Sequence, residues 1–305
     1  MARSRLHTRL ALVLGAVLMA LVTAGCTAEP EAGPADGKLA VTVSVVPQQY
    51  FVERIGGEHV AVTVMVGPGD NPTTYEPKPA QLKALSRSAA YFSVGVPFES
   101  VWLDRIAGAN PDMRIVDTIE DIERHLMVTH DDHEGEEGTE AVGAPDPHVW
   151  VSPELVKIQA RTIYGAMAEL DPDNAATYRA NLDAFLADID GLIAEIHGTL
   201  AGVADSKFMV FHPSWGYFAE DFGMEQVPIE IGGQEPSAQE MAHLVREARA
   251  EGIRVIFAQP EFSTVDAETI AKEIGGEVLL ISPLAYDWLE NLQTVANTFA
   301  EVLAE

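Results

Sequence analysis

Leu39-Ala40-Val41-Thr42-Val43-Ser44-Val45-Val46 decides the fold class. A β-branched run without a charge, its only polar residues the small Thr42 and Ser44, reads as a parallel strand buried on both faces. The chain around it keeps a regular rhythm. Pro47 opens a helix carrying Tyr50, Phe51 and Ile55, which Gly56-Gly57 stops. Val60 to Val66 reads as the next strand and Pro79 to Ser86 as a helix; 90–94, 98–106 and 113–116 read as strand, helix and strand. Strands alternating with helices specify a parallel sheet covered on both sides. Thr118 to Ala144 breaks the rhythm; polar, acidic and glycine-containing, it is expected to be mostly a mobile loop.

Helices resume at Pro153. From about Asp173 to Val203, the apolar residues Tyr178, Leu182, Phe185, Ile189, Leu192, Ile196, Leu200 and Val203 step by three or four, giving one continuous stripe. A helix of about 30 residues is roughly 45 Å long, which suits a rigid spine between two bodies. The α/β rhythm then returns, with strands at 208–211, 226–229, 255–257 and 278–281 and helices at 215–221, 237–251, 264–274 and 287–303. The expectation is an α/β protein of two parallel-sheet lobes joined by a long rigid spine helix. Its parts are an N-terminal lobe at 39–172 containing the acidic loop 118–144, the spine at 173–204, and a C-terminal lobe at 205–305. Ligands of such sheets sit outside the C-terminal ends of the strands.

Bulk properties narrow the function. The 305 residues are 47% hydrophobic, enough for two modest cores. Residues 1–25 read as a lipoprotein signal peptide: Arg3, Arg5 and Arg9 precede an apolar stretch from Leu10 to Val22, and Ala24-Gly25 precede Cys26. Thr23 stands where such leaders usually carry an aliphatic residue. Cys26 is the expected lipidation site, and 26–38, with Pro30, Gly33, Pro34 and Gly37, the tether to the fold. The expected location is extracytoplasmic, anchored to the membrane through Cys26 or periplasmic. A single cysteine makes no internal disulfide. The formal charge is −28, and removing the three leader arginines makes it −31, which argues against nucleic acid or anionic lipid as a binding partner. With only six lysines, the acidity itself reads as a very soluble or salt-adapted surface.

Two histidines stand in proline-stiffened turns, His148 in Asp146-Pro147-His148-Val149-Trp150 and His212 in Phe211-His212-Pro213-Ser214-Trp215. Neutral imidazole is an effective ligand for borderline divalent ions, so these two are the leading metal-ligand candidates, expected to meet at a seam between the lobes. The acidic tract His130-Asp131-Asp132-His133-Glu134-Gly135-Glu136-Glu137 reads as solvated chain or as a low-affinity collector of metal. Tyr75, Trp150, Trp215 and Tyr217 near these loops read as packing residues.

Five segments in order carry a resemblance: 67–77 (Gly67-Pro68-Gly69-Asp70-Asn71-Pro72-Thr73-Thr74-Tyr75-Glu76-Pro77), Asp146-Pro147-His148, Phe211-His212-Pro213-Ser214, Gly233-Gln234-Glu235-Pro236-Ser237 and Ser282-Pro283-Leu284-Ala285. Over 39–305 the chain resembles the zinc/manganese solute-binding proteins of ABC transporters, the cluster A-I, periplasmic zinc-binding type. The resemblance implies two α/β lobes, a spine helix, and Zn2+ or Mn2+ held between the lobes for delivery to an ABC permease without catalysis. It also implies four ligand positions, which here are Thr73, His148, His212 and Ser282. Relatives carry a histidine at the first and Asp or Glu at the last, and often an acidic residue where Gly232 stands. Two imidazoles and two hydroxyls make a poor zinc set. Three resolutions stay open: a carboxylate such as Glu261, Glu230 or Glu76 completes the sphere, the His130/His133 tract folds in, or the cleft takes another ligand.

Two other functions compete. A metal-dependent hydrolase would use His148 and His212 with an open coordination position, but the chain has no Gly-x-Ser-x-Gly, no His-Glu-x-x-His and no phosphate-binding loop. A surface adhesin or a receptor for a non-metal solute would carry a degenerate metal site, and would gain no thermal stability from Zn2+ or Mn2+.

Overall fold

The computed structural model describes residues 37–127, 143–230 and 236–304. Cys26 and nearly all of the tether, the His130–Glu137 tract and Gly232 lie outside the described residues.

Strands β1 (Leu39–Val45), β2 (Val60–Val66), β3 (Ala90–Ser93) and β4 (Arg114–Asp117) form an all-parallel sheet in the order β2-β1-β3-β4. Strands β5 (Lys207–Val210), β6 (Glu225–Pro228), β7 (Val255–Ala258) and β8 (Glu277–Leu280) repeat that order as β6-β5-β7-β8. Each sheet therefore reverses its winding between its first and third strands. Connections leave that point toward opposite faces and open a crevice beyond the strand ends. Both sheets belong to one compact unit, Asp36–Glu305.

The helices are α1 (Val46–Gly56), α2 (Pro79–Leu85), α3 (Pro97–Ala109), α4 (Pro153–Leu170), α5 (Ala175–Leu200), α6 (Gly216–Asp221), α7 (Ala238–Ala250), α8 (Val265–Ile274) and α9 (Trp288–Leu303). Proline in the first turn starts α1, α2, α3 and α4, where its missing N–H costs nothing. Ser152 caps α4 by accepting from Leu155 N at 3.1 Å. The spine is α5, 26 residues or about 39 Å. It is shorter than the 173–204 reading because Pro172–Asn174 form a separate 3-10 turn. All seven stripe residues within α5 are buried, and Val203 stays buried past the helix end. The spine packs against α4, α9 and α1, elements of both halves.

One apolar core runs from Val43 and Phe92 of the first sheet through Phe185 of the spine to Phe208, Phe257 and Phe299. A smaller core of Met209, Val227, Ile256 and Ile270 lies on the other face of the second sheet, with Leu244 of α7. The halves thus share continuous packing, which resists hinge opening.

Of the predicted loop 118–144, residues 128–142 lie outside the described residues, and 118–127 are held against the fold. The Thr118 hydroxyl donates to Ser93 O at 2.6 Å, Ile119 and Ile122 are buried, and Leu126 bridges Pro145. Two isoleucines three apart reach the core even though their neighbours are charged. Among the described residues no helix is long and apolar enough to cross a membrane.

Candidate metal centre

The loops beyond the strand ends of both sheets enclose a cleft of about 360 Å³. Thr73 follows β2, Val96 and Pro97 follow β3, His212 follows β5, Glu261 and Phe262 follow β7, and Pro283 follows β8. His148 and Trp150 come from the segment leading into α4. Most of the other lining is proline and aliphatic, a low-dielectric wall that strengthens any charge interaction inside.

His148 and His212 meet in this cleft with their Nε2 atoms 3.3 Å apart. Each ring is held from behind. His148 Nδ1 donates to Asp146 Oδ1 at 2.6 Å, and the His148 backbone N–H donates to the same oxygen at 2.9 Å. His212 Nδ1 donates to Glu230 Oε2 at 2.7 Å, and its ring stacks on Phe262 with centroids 4.3 Å apart. With each Nδ1 carrying the proton, both Nε2 lone pairs face one another. Two lone pairs at that separation repel unless a cation or a shared proton lies between them. Two nitrogens bound tetrahedrally to zinc at 2.0–2.1 Å would sit about 3.3–3.4 Å apart. The spacing fits chelation.

Electrostatics agree with that arrangement. Burial alone would raise the Asp146 pKa, yet the His148 ring beside it and the two hydrogen bonds from that residue outweigh it and hold the carboxyl below its ordinary range. Burial, with His148 nearby, lowers the pKa of His212 despite Glu230. A neutral imidazole is the form that binds a metal.

The remaining sequence candidates are placed as follows. Thr73 lines the cleft, exposed, with its backbone N–H donating to Asn71 Oδ1 at 2.7 Å. Glu261 lines the cleft and accepts the Ser282 hydroxyl on Oε1 at 2.7 Å. Ser282 itself does not line it. Glu230 sits behind His212 rather than at the face shared by the imidazoles, and Glu76 is exposed and away from the lining. Among the described residues no three His, Cys, Asp or Glu side chains come together closely enough to hold a metal ion.

Several residues that shape the centre carry no signal as ligands. Gln259, fully buried, accepts from His212 N at 3.1 Å and donates to His212 O at 2.8 Å and Ser214 Oγ at 3.0 Å, clamping that turn. Trp150 Nε1 donates to Pro283 O at 2.8 Å and Trp288 Nε1 donates to Trp150 O at 2.7 Å, stitching the two halves beside the cleft. The Tyr217 hydroxyl donates to Asp146 O and accepts from His125 N, both at 3.1 Å. Glu99, buried beneath the β3–α3 turn, accepts from Gly95 N at 2.6 Å and Val94 N at 3.2 Å, which fixes Val96 and Pro97 at the rim. Trp150 and Tyr217 are legible in the sequence as packing residues, whereas for Gln259 the cue is its position just past a strand end.

The family described as zinc-uptake complex component A, periplasmic (ZnuA) matches residues 41–302. The zinc-binding protein AdcA of Streptococcus pyogenes serotype M3 is 26% identical over 267 residues, 82% of this chain and 51% of AdcA. This chain thus spans about half the length of AdcA. The high-affinity zinc uptake system protein ZnuA of Bacillus subtilis is 28% identical over 272 residues, 87% of this chain and 85% of that protein. A zinc-bound crystal structure of a ZnuA deletion mutant superposes with a TM-score of 0.81 at 45% identity, covering 88% of this chain and 99% of that one.

Proposed function

This chain belongs to the zinc-uptake complex component A family, and from that premise we propose that it captures a divalent transition metal outside the cytoplasm for an ABC importer. The ion is cargo, held by His148 and His212 and released to the permease without chemical conversion. The observation that carries this reading is the imidazole pair: Nε2 atoms 3.3 Å apart, each ring oriented by its own carboxylate. Ligating histidines usually hand their second N–H to a carboxylate or carbonyl, which fixes the tautomer and raises basicity. Two such pairs aimed at one point are costly to bury unless a cation joins them.

Zn2+ fits ahead of Mn2+, because nitrogen donors favour zinc whereas manganese prefers carboxylate, carbonyl and water. Thr73 stands at the cleft where a water-mediated contact would be made. A chain that begins with a lipoprotein-type leader is anchored at the outer face of the membrane through Cys26, and its partner is the membrane subunit of the importer. The stitched seam beside Trp150 makes loading a matter of loops and side chains rather than lobe closure.

Calorimetric titration of Zn2+ and Mn2+ into the protein and into His148→Ala tests the proposal. Tight zinc binding that the substitution abolishes is the expected result. Equal affinity in both proteins would overturn the assignment, and absence of binding by either metal would return the cleft to a non-metal solute.

A further inference from the structure

Glu261 faces two unlike situations at its two carboxylate oxygens. Oε1 accepts the Ser282 hydroxyl at 2.7 Å, while Oε2 is enclosed by protein and has no hydrogen-bond partner among the described residues. Ser282 is engaged twice, since its Oγ also accepts from Leu284 N at 3.1 Å and keeps a single lone pair. With its hydrogen turned to Glu261 and a lone pair turned to the backbone, this hydroxyl is a poor donor for a cation. An enclosed carboxylate oxygen without a partner is unfavourable, and a cation within reach removes the penalty.

Glu261 and the imidazoles line the same cleft, yet no three metal-binding groups of the described residues are gathered at one point. The carboxylate must therefore travel within the cleft to share an ion with them. Its backbone allows this. Glu261 lies in the short connection between β7 and α8, next to Gln259, which is locked to the His212 turn, so a side-chain rotation leaves the imidazole pair undisturbed.

We propose that Glu261 is a parked third donor for the cargo ion, held aside by the Ser282 hydroxyl until the ion on His148 and His212 draws Oε2 into coordination. This rests on the reading of the two histidines as the first two donors. Ser282, a ligand position by resemblance, is then a positioning residue, and the completed set is two imidazoles and one carboxylate. A set of three protein donors leaves the fourth position open, as a carrier that must release its ion requires.

The opposite signs of two substitutions test the parking. Zn2+ is titrated calorimetrically into the full chain and into Glu261→Gln, Ser282→Ala and the double variant, with metal-free melting curves confirming that each is folded. Glu261→Gln is expected to weaken binding at least tenfold. Ser282→Ala is expected to tighten it about fivefold, the loss of one ordinary hydrogen bond, and to have no effect once Glu261 is Gln. Co2+ loaded in place of Zn2+ should show a visible absorption band that shifts with Glu261→Gln and not with Ser282→Ala. Unchanged affinity in Glu261→Gln overturns the donor role, and weaker or unchanged binding in Ser282→Ala overturns the parking. Those failures leave the His148→Ala result standing, so they are distinct from failure of the metal reading itself. Should Glu261→Gln not fold, Glu261→Asp, too short to bridge, is expected to give the same loss.

Discussion

The two arms of the proposed metal centre are built differently. His148 takes its orienting carboxylate from two residues away, Asp146 Oδ1 serving both its ring and its backbone N–H. His212 takes its carboxylate from 18 residues away, its backbone clamp from Gln259 and its stacking partner from Phe262. The first arm is a local turn. The second is assembled by strand adjacency: β5 lies between β6 and β7, so the residues just past those strands flank His212. A short-range device survives local disturbance of the sheet, whereas the long-range one reports on its integrity.

Removing either imidazole should have the largest effect. Structural zinc sites are worth roughly 10–16 kcal/mol over four ligands, so one donor lost costs about 3 kcal/mol, on the order of 10²–10³-fold in Kd. His148→Ala and His212→Ala should fall equally by calorimetry, because the ion needs both. A variant retaining wild-type zinc affinity would break the symmetry of the pair.

The orienting carboxylates should separate the arms. Asp146→Asn and Glu230→Gln should each weaken zinc about 10–100-fold, the usual effect of losing a group that orients a ligand. Asp146→Asn should also lower metal-free stability by about 1 kcal/mol, since Asp146 holds backbone as well as ring. Glu230→Gln should leave metal-free stability nearly unchanged. Denaturation curves showing equal destabilisation would contradict the local-versus-assembled distinction. Gln259→Ala completes the contrast by removing three buried hydrogen bonds around the second arm. It should cost about 2–3 kcal/mol of unfolding free energy by chemical denaturation.

The same contrast explains what the sequence discloses. Strand runs such as Val41–Val45 and the α5 stripe are periodic over many residues, so the two sheets and the spine are legible, with ends displaced by a few residues. The Asp146-Pro147-His148 turn is legible because its chemistry is contiguous. Glu230 could be named as a carboxylate but not assigned to His212 Nδ1, and Gln259 gives almost no cue, because their positions depend on which strands are neighbours. Ser282 differs again: the resemblance puts it at a ligand position, while its hydroxyl donates to Glu261 and accepts from Leu284 N. Those two bonds depend on where β7 and β8 end side by side, which the sequence alone does not disclose.

One contact spans both arms and gives the smallest effect. The Ser152 hydroxyl, at the end of the His148 turn, donates to Asp221 Oδ2 at 2.6 Å, at the end of the helix that follows His212. Burial raises the Asp221 pKa to about 6, with Glu154 and Glu220 adding to it and the Ser152 bond opposing it. The folded protein therefore binds this proton more tightly than the unfolded chain does. Its contribution to stability is full below about pH 4 and is lost as pH rises through about 6. Asp221→Asn keeps an acceptor for Ser152 and removes the buried charge. It should stabilise the protein by about 1–2 kcal/mol at pH 7.5, allowing for partial solvent access, and by nothing at pH 4. Equal gains at both pH values would show that Asp221 acts through packing and not through its charge.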